Sequence, residues 1–102
     1  MGITKEVSED GKDVNIQIED RFDFSLHQGF RESYSKHDIK PAKFTLDLSK
    51  TTYMDSSALG MILLLKDYAE NISADVVISK PSETVYKILQ IAQFHRLLTI
   101  ES

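Results

Sequence analysis

A chain of 102 residues holds one domain around one hydrophobic core. Its hydrophobic content of 41% and charged content of 27% are those of an ordinary globular protein, and a net charge of −4 without any basic block argues against nucleic acid as a partner. There is no cysteine, which excludes disulfides, thiolate catalysis and cysteine-ligated metal, and fits a cytoplasmic protein.

The N-terminus, MGITKEVSEDGKDV, has no apolar stretch of the kind a secretory signal needs. Position 6 is Glu6, so the myristoylation pattern is not met. The longest apolar run, Met61 to Leu65, is too short to span a bilayer, so no membrane insertion is expected.

Ile3 to Val7 and Val14 to Ile18 read as two strands. The Asp10-Gly11 turn signal between them predicts a hairpin. Val14, Ile16 and Ile18 alternate with Asn15 and Gln17, the period of a half-buried strand. Glu19 to Asp23 reads as a loop. A helix is expected from Phe24 to Ser35, where Leu26, Phe30 and Tyr34 recur at helical spacing and Asp23 caps. Asp38 to Ala42, with Pro41, reads as a connector. Phe44, Leu46 and Leu48 alternate with Thr45 and Asp47 and predict a third strand. Lys50 to Tyr53 leads into an Asp-Ser-Ser turn, and a second helix is expected from Ser57 to Glu70. Asp75 to Ser79 reads as a short strand. Pro81 suits the start of a third helix, in which Val85, Ile88, Leu89 and Ala92 follow the i, i+3, i+4, i+7 pattern. Leu97 to Ile100 reads as a last strand. Two strands followed by alternating helices and strands imply an α/β fold, a mixed central sheet with helices packed on it.

Chemistry concentrates at Met54-Asp55-Ser56-Ser57-Ala58-Leu59-Gly60. Here a strand hands over to an apolar helix. The first amides of a helix lack intrahelical partners and its dipole makes that end slightly positive. Such a terminus suits an oxyanion, including a phosphate on Ser56. The plainer reading of Ser56, Ser57 and Asp55 is helix capping. Gly60 either lets a partner approach the serine or packs tightly on the chain's own sheet. Five consecutive apolar residues, Met61 to Leu65, exceed the stripe roughly 100° wide that a sheet covers. The helix is then either buried on most sides or offers one face to a partner, where Met61 suits an adaptable contact.

His27, His37 and His95 are too scattered for a local metal motif. No Gly-x-Ser-x-Gly elbow accompanies the Asp55-Ser56 pair, which argues against a hydrolase, and no Gly-rich loop is present to cradle a nucleotide. No catalytic residue, metal or cofactor is expected.

The segment FTLDLSKTTYMDSSALGMILLLKDYAE resembles the signature of STAS domains, specifically the bacterial anti-sigma factor antagonists. SKPSETVYKILQIAQFHRLLTI is similar to that family's closing helix and strand, so the resemblance covers nearly the whole chain as a single STAS domain. It implies a non-enzymatic partner switch. The unphosphorylated antagonist binds a serine kinase/anti-sigma factor. Phosphorylation of the serine after the motif aspartate, here Ser56, releases it, and a PP2C-type phosphatase resets it. Ser57 supports the loop, while Asp55, Ala58, Gly60, Met61 and Leu64 lie at or beside the interface. Departures are Ala58 in place of the common glycine, Glu19 to Phe24 in place of a Gly-Glu-Leu-Asp motif, and a C-terminal helix expected to be absent or reduced. The Arg21-Phe22-Asp23 form is similar to stand-alone proteobacterial antagonists, which often govern biofilm formation or motility. The family's other roles imply two alternatives, a subunit of a lipid-importing ABC transporter and a domain that binds a nucleotide or other small ligand.

Overall fold

The computed structural model describes residues 2–35 and 41–101. The chain runs β1 (Ile3–Val7), β2 (Asp13–Ile18), β3 (Asp20–Phe22), a 3-10 turn (Phe24–Leu26), α1 (His27–Ser35), β4 (Lys43–Asp47) and β5 (Thr51–Met54). It continues through α2 (Ser56–Asn71), β6 (Asp75–Ser79), α3 (Glu83–Ile91), a second 3-10 turn (Phe94–Arg96) and β7 (Thr99–Glu101).

Five strands form one sheet in the order β1-β2-β4-β6-β7. β1 and β2 are antiparallel, the expected hairpin, and every other neighbour is parallel, so the sheet is mixed. The hairpin turn is held by its own side chains. Ser8 Oγ donates to Asp10 Oδ1 over 2.7 Å, and Gly11 takes φ 74°, a left-handed conformation that glycine adopts without steric cost.

Period-two alternation sends Val14, Ile16 and Ile18 of β2 and Phe44 and Leu46 of β4 into the core, each fully buried. Phe30 and Tyr34 from α1, Ile62 and Leu65 from α2, and Val85 and Leu89 from α3 meet them in one cluster. The fold is therefore the α/β arrangement expected, a mixed sheet with helices packed on it.

Several boundaries differ from the sequence reading. Glu19 to Asp23 contains a strand, not only a loop. β3 pairs in parallel with β5, matching Phe22 to Met54, and the two make a separate two-stranded sheet. Full burial of Phe22 rewards that pairing. The segment before the Asp-Ser-Ser turn is the strand β5. The helix expected from Phe24 opens as a 3-10 turn and becomes α-helical only at His27. Pro81 precedes α3 rather than starting it, because Ser82 is the cap and its hydroxyl accepts from the Val85 amide at 3.4 Å. The last strand is Thr99–Glu101, and Leu97 is left 47% exposed. Of the expected connector, residues 38–40 lie outside the described residues, as does His37, while Pro41 is buried.

Candidate functional site

β5 ends on the buried Met54, and Asp55 follows in extended conformation, φ −107° and ψ −177°. That geometry makes Asp55 the cap of α2. Its Oδ1 accepts from the Ala58 amide at 3.0 Å and from Ser57 Oγ at 2.6 Å. The Ser57 hydroxyl, followed by the Ala58 amide, holds the Asp55 carboxyl below the usual carboxylate range, against an opposing push from the Asp23 charge. Neither serine is the cap, which settles the capping question in favour of the aspartate.

The two serines consequently differ. Ser57 is half-buried and its hydroxyl is committed to Asp55. Ser56 is the first residue of α2, is exposed, and among the described residues its hydroxyl has no hydrogen-bond partner. A nucleophilic or modifiable oxygen thus stands free at the positive end of a helix of 16 residues. Among the described residues no histidine bonds to either serine, and no group of three His, Asp or Glu side chains is placed to hold a metal.

Gly60 lies on the exposed side of α2. A Cβ there meets nothing within 4 Å, so the glycine does not serve tight packing on the chain's own sheet. The apolar run divides. Met61, Ile62 and Leu65 turn inward, whereas Leu63 and Leu64 are 40% and 51% exposed. Met61, 3% exposed, is a core residue that borders a cleft between α1 and α2, and Ala58 is fully buried. Their expected place on a contact surface is corrected accordingly, because both side chains are buried in the core cluster. Leu64, Leu63 and Gly60 remain on the outer side.

The neighbouring strand ends in the same way, which the sequence reading missed. Asp23 closes β3, and its Oδ1 accepts from Ser25 N at 3.0 Å and Ser25 Oγ at 2.5 Å. These bonds, Ser25 Oγ first, hold its carboxyl low as well. The Asp55 amide donates to Phe22 O at 3.4 Å and ties the two strand ends together. Phe24 occupies the place in this cap that Ser56 has in the other, and it is 65% exposed and stacked on His27. On the outer face of the strand pair the Arg21 guanidinium lies 4.5 Å over the Tyr53 ring and pairs with Asp23 at 3.3 Å. Asp-x-Ser recurs in the sequence at 23–25 and 55–57 but also at 47–49, so the motif alone did not single out this pair.

Comparison with known proteins bears on the family and the fold. A family model described as the STAS domain matches residues 4–102. A STAS-domain containing protein of Pseudomonas aeruginosa (strain UCBPP-PA14) is 46% identical over 100 residues, covering 98% of this chain and 99% of that protein. The fold is similar to that of the anti-sigma factor antagonist SpoIIAA in its unphosphorylated form, with a TM-score of 0.83 at 19% identity over 98% of this chain and 88% of that one. It is also similar to a sulfate transporter family protein from Wolinella succinogenes, with a TM-score of 0.82 at 16% identity over 95% of this chain and 80% of that one. At these identities the two structural likenesses are likenesses of fold. Among the described residues no helix is long and apolar enough to cross a membrane.

Proposed function

The chain belongs to the STAS domain family, and we propose that it acts as an anti-sigma factor antagonist in a phosphorylation-controlled partner switch. In this reading it is a binding protein rather than an enzyme and works in the cytoplasm. The unphosphorylated form holds a serine kinase/anti-sigma factor, the kinase phosphorylates Ser56, and a PP2C-type phosphatase restores the serine.

The observation that carries the reading is the division of labour between the two serines. Ser57 is spent on Asp55, and Ser56 is exposed and free at the helix N-terminus. The exposed Gly60, Leu63 and Leu64 along the same helix supply a contact surface beside it. A phosphate on Ser56 brings nearly two negative charges next to Asp55, which already feels the Asp23 charge. The helix terminus stabilises that charge within the monomer, but a partner surface that has closed over it must desolvate it. A loss of ~3–4 kcal/mol weakens binding a few hundredfold, enough for a switch.

The test is a pull-down from native-cell lysate with Ser56→Ala and Ser56→Asp as parallel baits. A kinase-like regulator captured by the alanine bait and lost with aspartate supports the switch. Equal capture by both sinks it, and capture of an ABC-type ATPase by both assigns a constitutive subunit instead.

A further inference from the structure

α1 and α2 leave between them a cleft of about 370 Å³. That lies within the range of small-molecule pockets, roughly 300–1,000 Å³. Phe30, Tyr34, Met61, Leu64 and Tyr68 give it largely apolar walls, Arg31 stands at its exposed side, and His27, Ser35 and Asn71 complete the lining.

Tyr34 is 5% exposed, and its ring is fixed by Phe30, Phe44 and Tyr68. Among the described residues its hydroxyl has no hydrogen-bond partner. A buried phenol ordinarily has one, since leaving a buried donor unmet is costly. Arg31, three residues earlier on the same helix, makes no ion pair among the described residues. Burial pushes the Tyr34 phenol above its ordinary range, and the Arg31 charge opposes that rise, so the two polar groups act on one another. A donor without an acceptor and a cation without a counter-ion therefore meet over an apolar cleft.

We propose that this cleft binds a small carboxylic acid with an apolar body, its carboxylate held by Arg31 and the Tyr34 hydroxyl and its body lying against Phe30, Met61, Leu64 and Tyr68. Arg31 is the one permanent cation on the lining, and the Ser35 and Tyr68 hydroxyls already donate to backbone carbonyls, so a monoanion suits the site better than a phosphate dianion. The unbranched thioether of Met61 fits itself to an irregular ligand. The site does not require Ser56 phosphorylation, and it shares Leu64 with the contact surface proposed above.

The experiment is an NMR titration of the whole chain with sodium octanoate, 1-octanol and sodium acetate, repeated for octanoate and octanol on Arg31→Gln and Tyr34→Phe. Octanoate is expected to give saturable shifts at Tyr34, Leu64 and Tyr68 with a Kd below about 1 mM, and octanol to bind about tenfold more weakly. Acetate is expected to show no saturation. Each variant should weaken octanoate at least about fivefold and leave octanol unchanged. Arg31 is exposed and Tyr34→Phe keeps the ring packing, so both variants should remain folded. Failure of octanoate to saturate, equal binding of octanol by the unaltered chain, or undiminished octanoate binding by both variants overturns the proposal.

Discussion

Asp23 and Asp55 close neighbouring parallel strands, and each accepts the hydroxyl of the serine two residues further on, Ser25 at 2.5 Å and Ser57 at 2.6 Å. Asp23 also takes the Ser25 amide and opens a 3-10 turn, whereas Asp55 takes the Ala58 amide and opens an α-helix, so two related caps start two helical segments at one edge of the fold. Because the Asp55 carboxylate takes both Ser57 Oγ and the Ala58 amide, Asp55→Ala removes the cap and frees Ser57 together. The expected result is a Tm lowered by a few degrees with the fold retained, and a smaller drop for Ser57→Ala. Thermal unfolding followed by circular dichroism checks the order of the two.

Gly60 gives a variant in which stability and binding part company. Alanine there meets no atom within 4 Å and removes a glycine from a helix, which stabilises by about 1 kcal/mol. For a domain of this size that raises the Tm by about 4–8 °C. If a partner seats against the bare backbone beside Ser56, the same variant captures less of it. A higher Tm with unchanged capture would remove Gly60 from the interface.

The split of the apolar run is testable in urea. Met61→Ala empties a core position and is expected to cost about 2–4 kcal/mol. Leu64→Ala, half exposed, is expected to cost less than about 1 kcal/mol. Comparable losses at both positions would contradict the orientation of α2.

Acid should reach this edge of the fold in a defined window. The Asp55 and Asp23 carboxyls are held low by the Ser57 and Ser25 hydroxyls first and by backbone amides second. Between the depressed folded value and the ordinary one the unfolded chain binds more protons, so stability rises with pH there. The contribution is fully present above the ordinary carboxylate range and is lost as pH falls through the folded values. Tm is therefore expected to be flat from about pH 7 to 5 and to fall below about pH 4. Asp55→Asn should fall less steeply over the acid limb.

Much of this was legible in the chain. Val14, Ile16 and Ile18, and Phe44 and Leu46, declare their strands because a half-buried strand must alternate. The Asp-Ser-Ser turn declared itself through the strand before it and the apolar helix after it. β3 did not, because three residues carry no period and its parallel partner lies some thirty residues away. The orientation of α2 was equally hidden. Five consecutive apolar residues name no face, and the sheet decides that Met61 goes in and Leu64 out. At the turn, Asp55, Ser56 and Ser57 are all good capping residues, and only the extended backbone at Asp55 assigns the role. Asp-x-Ser occurs three times, at 23–25, 47–49 and 55–57, and only the pairing of β3 with β5 singles out the first and the last.

The strand that leads to the serine, β5, belongs to the two-stranded sheet, not to the five-stranded one, and its ladder has three matched positions with a register shift between Asp20 and Arg21. So short a ladder opens at lower free energy than the central strand β4, which is paired on both sides. Amide hydrogen exchange in the native state should therefore be faster in β5 than in β4, and the edge that presents Ser56 can loosen while the large sheet stays closed. An enzyme that must draw the serine into its own active site then needs to unfasten only a small part of the molecule.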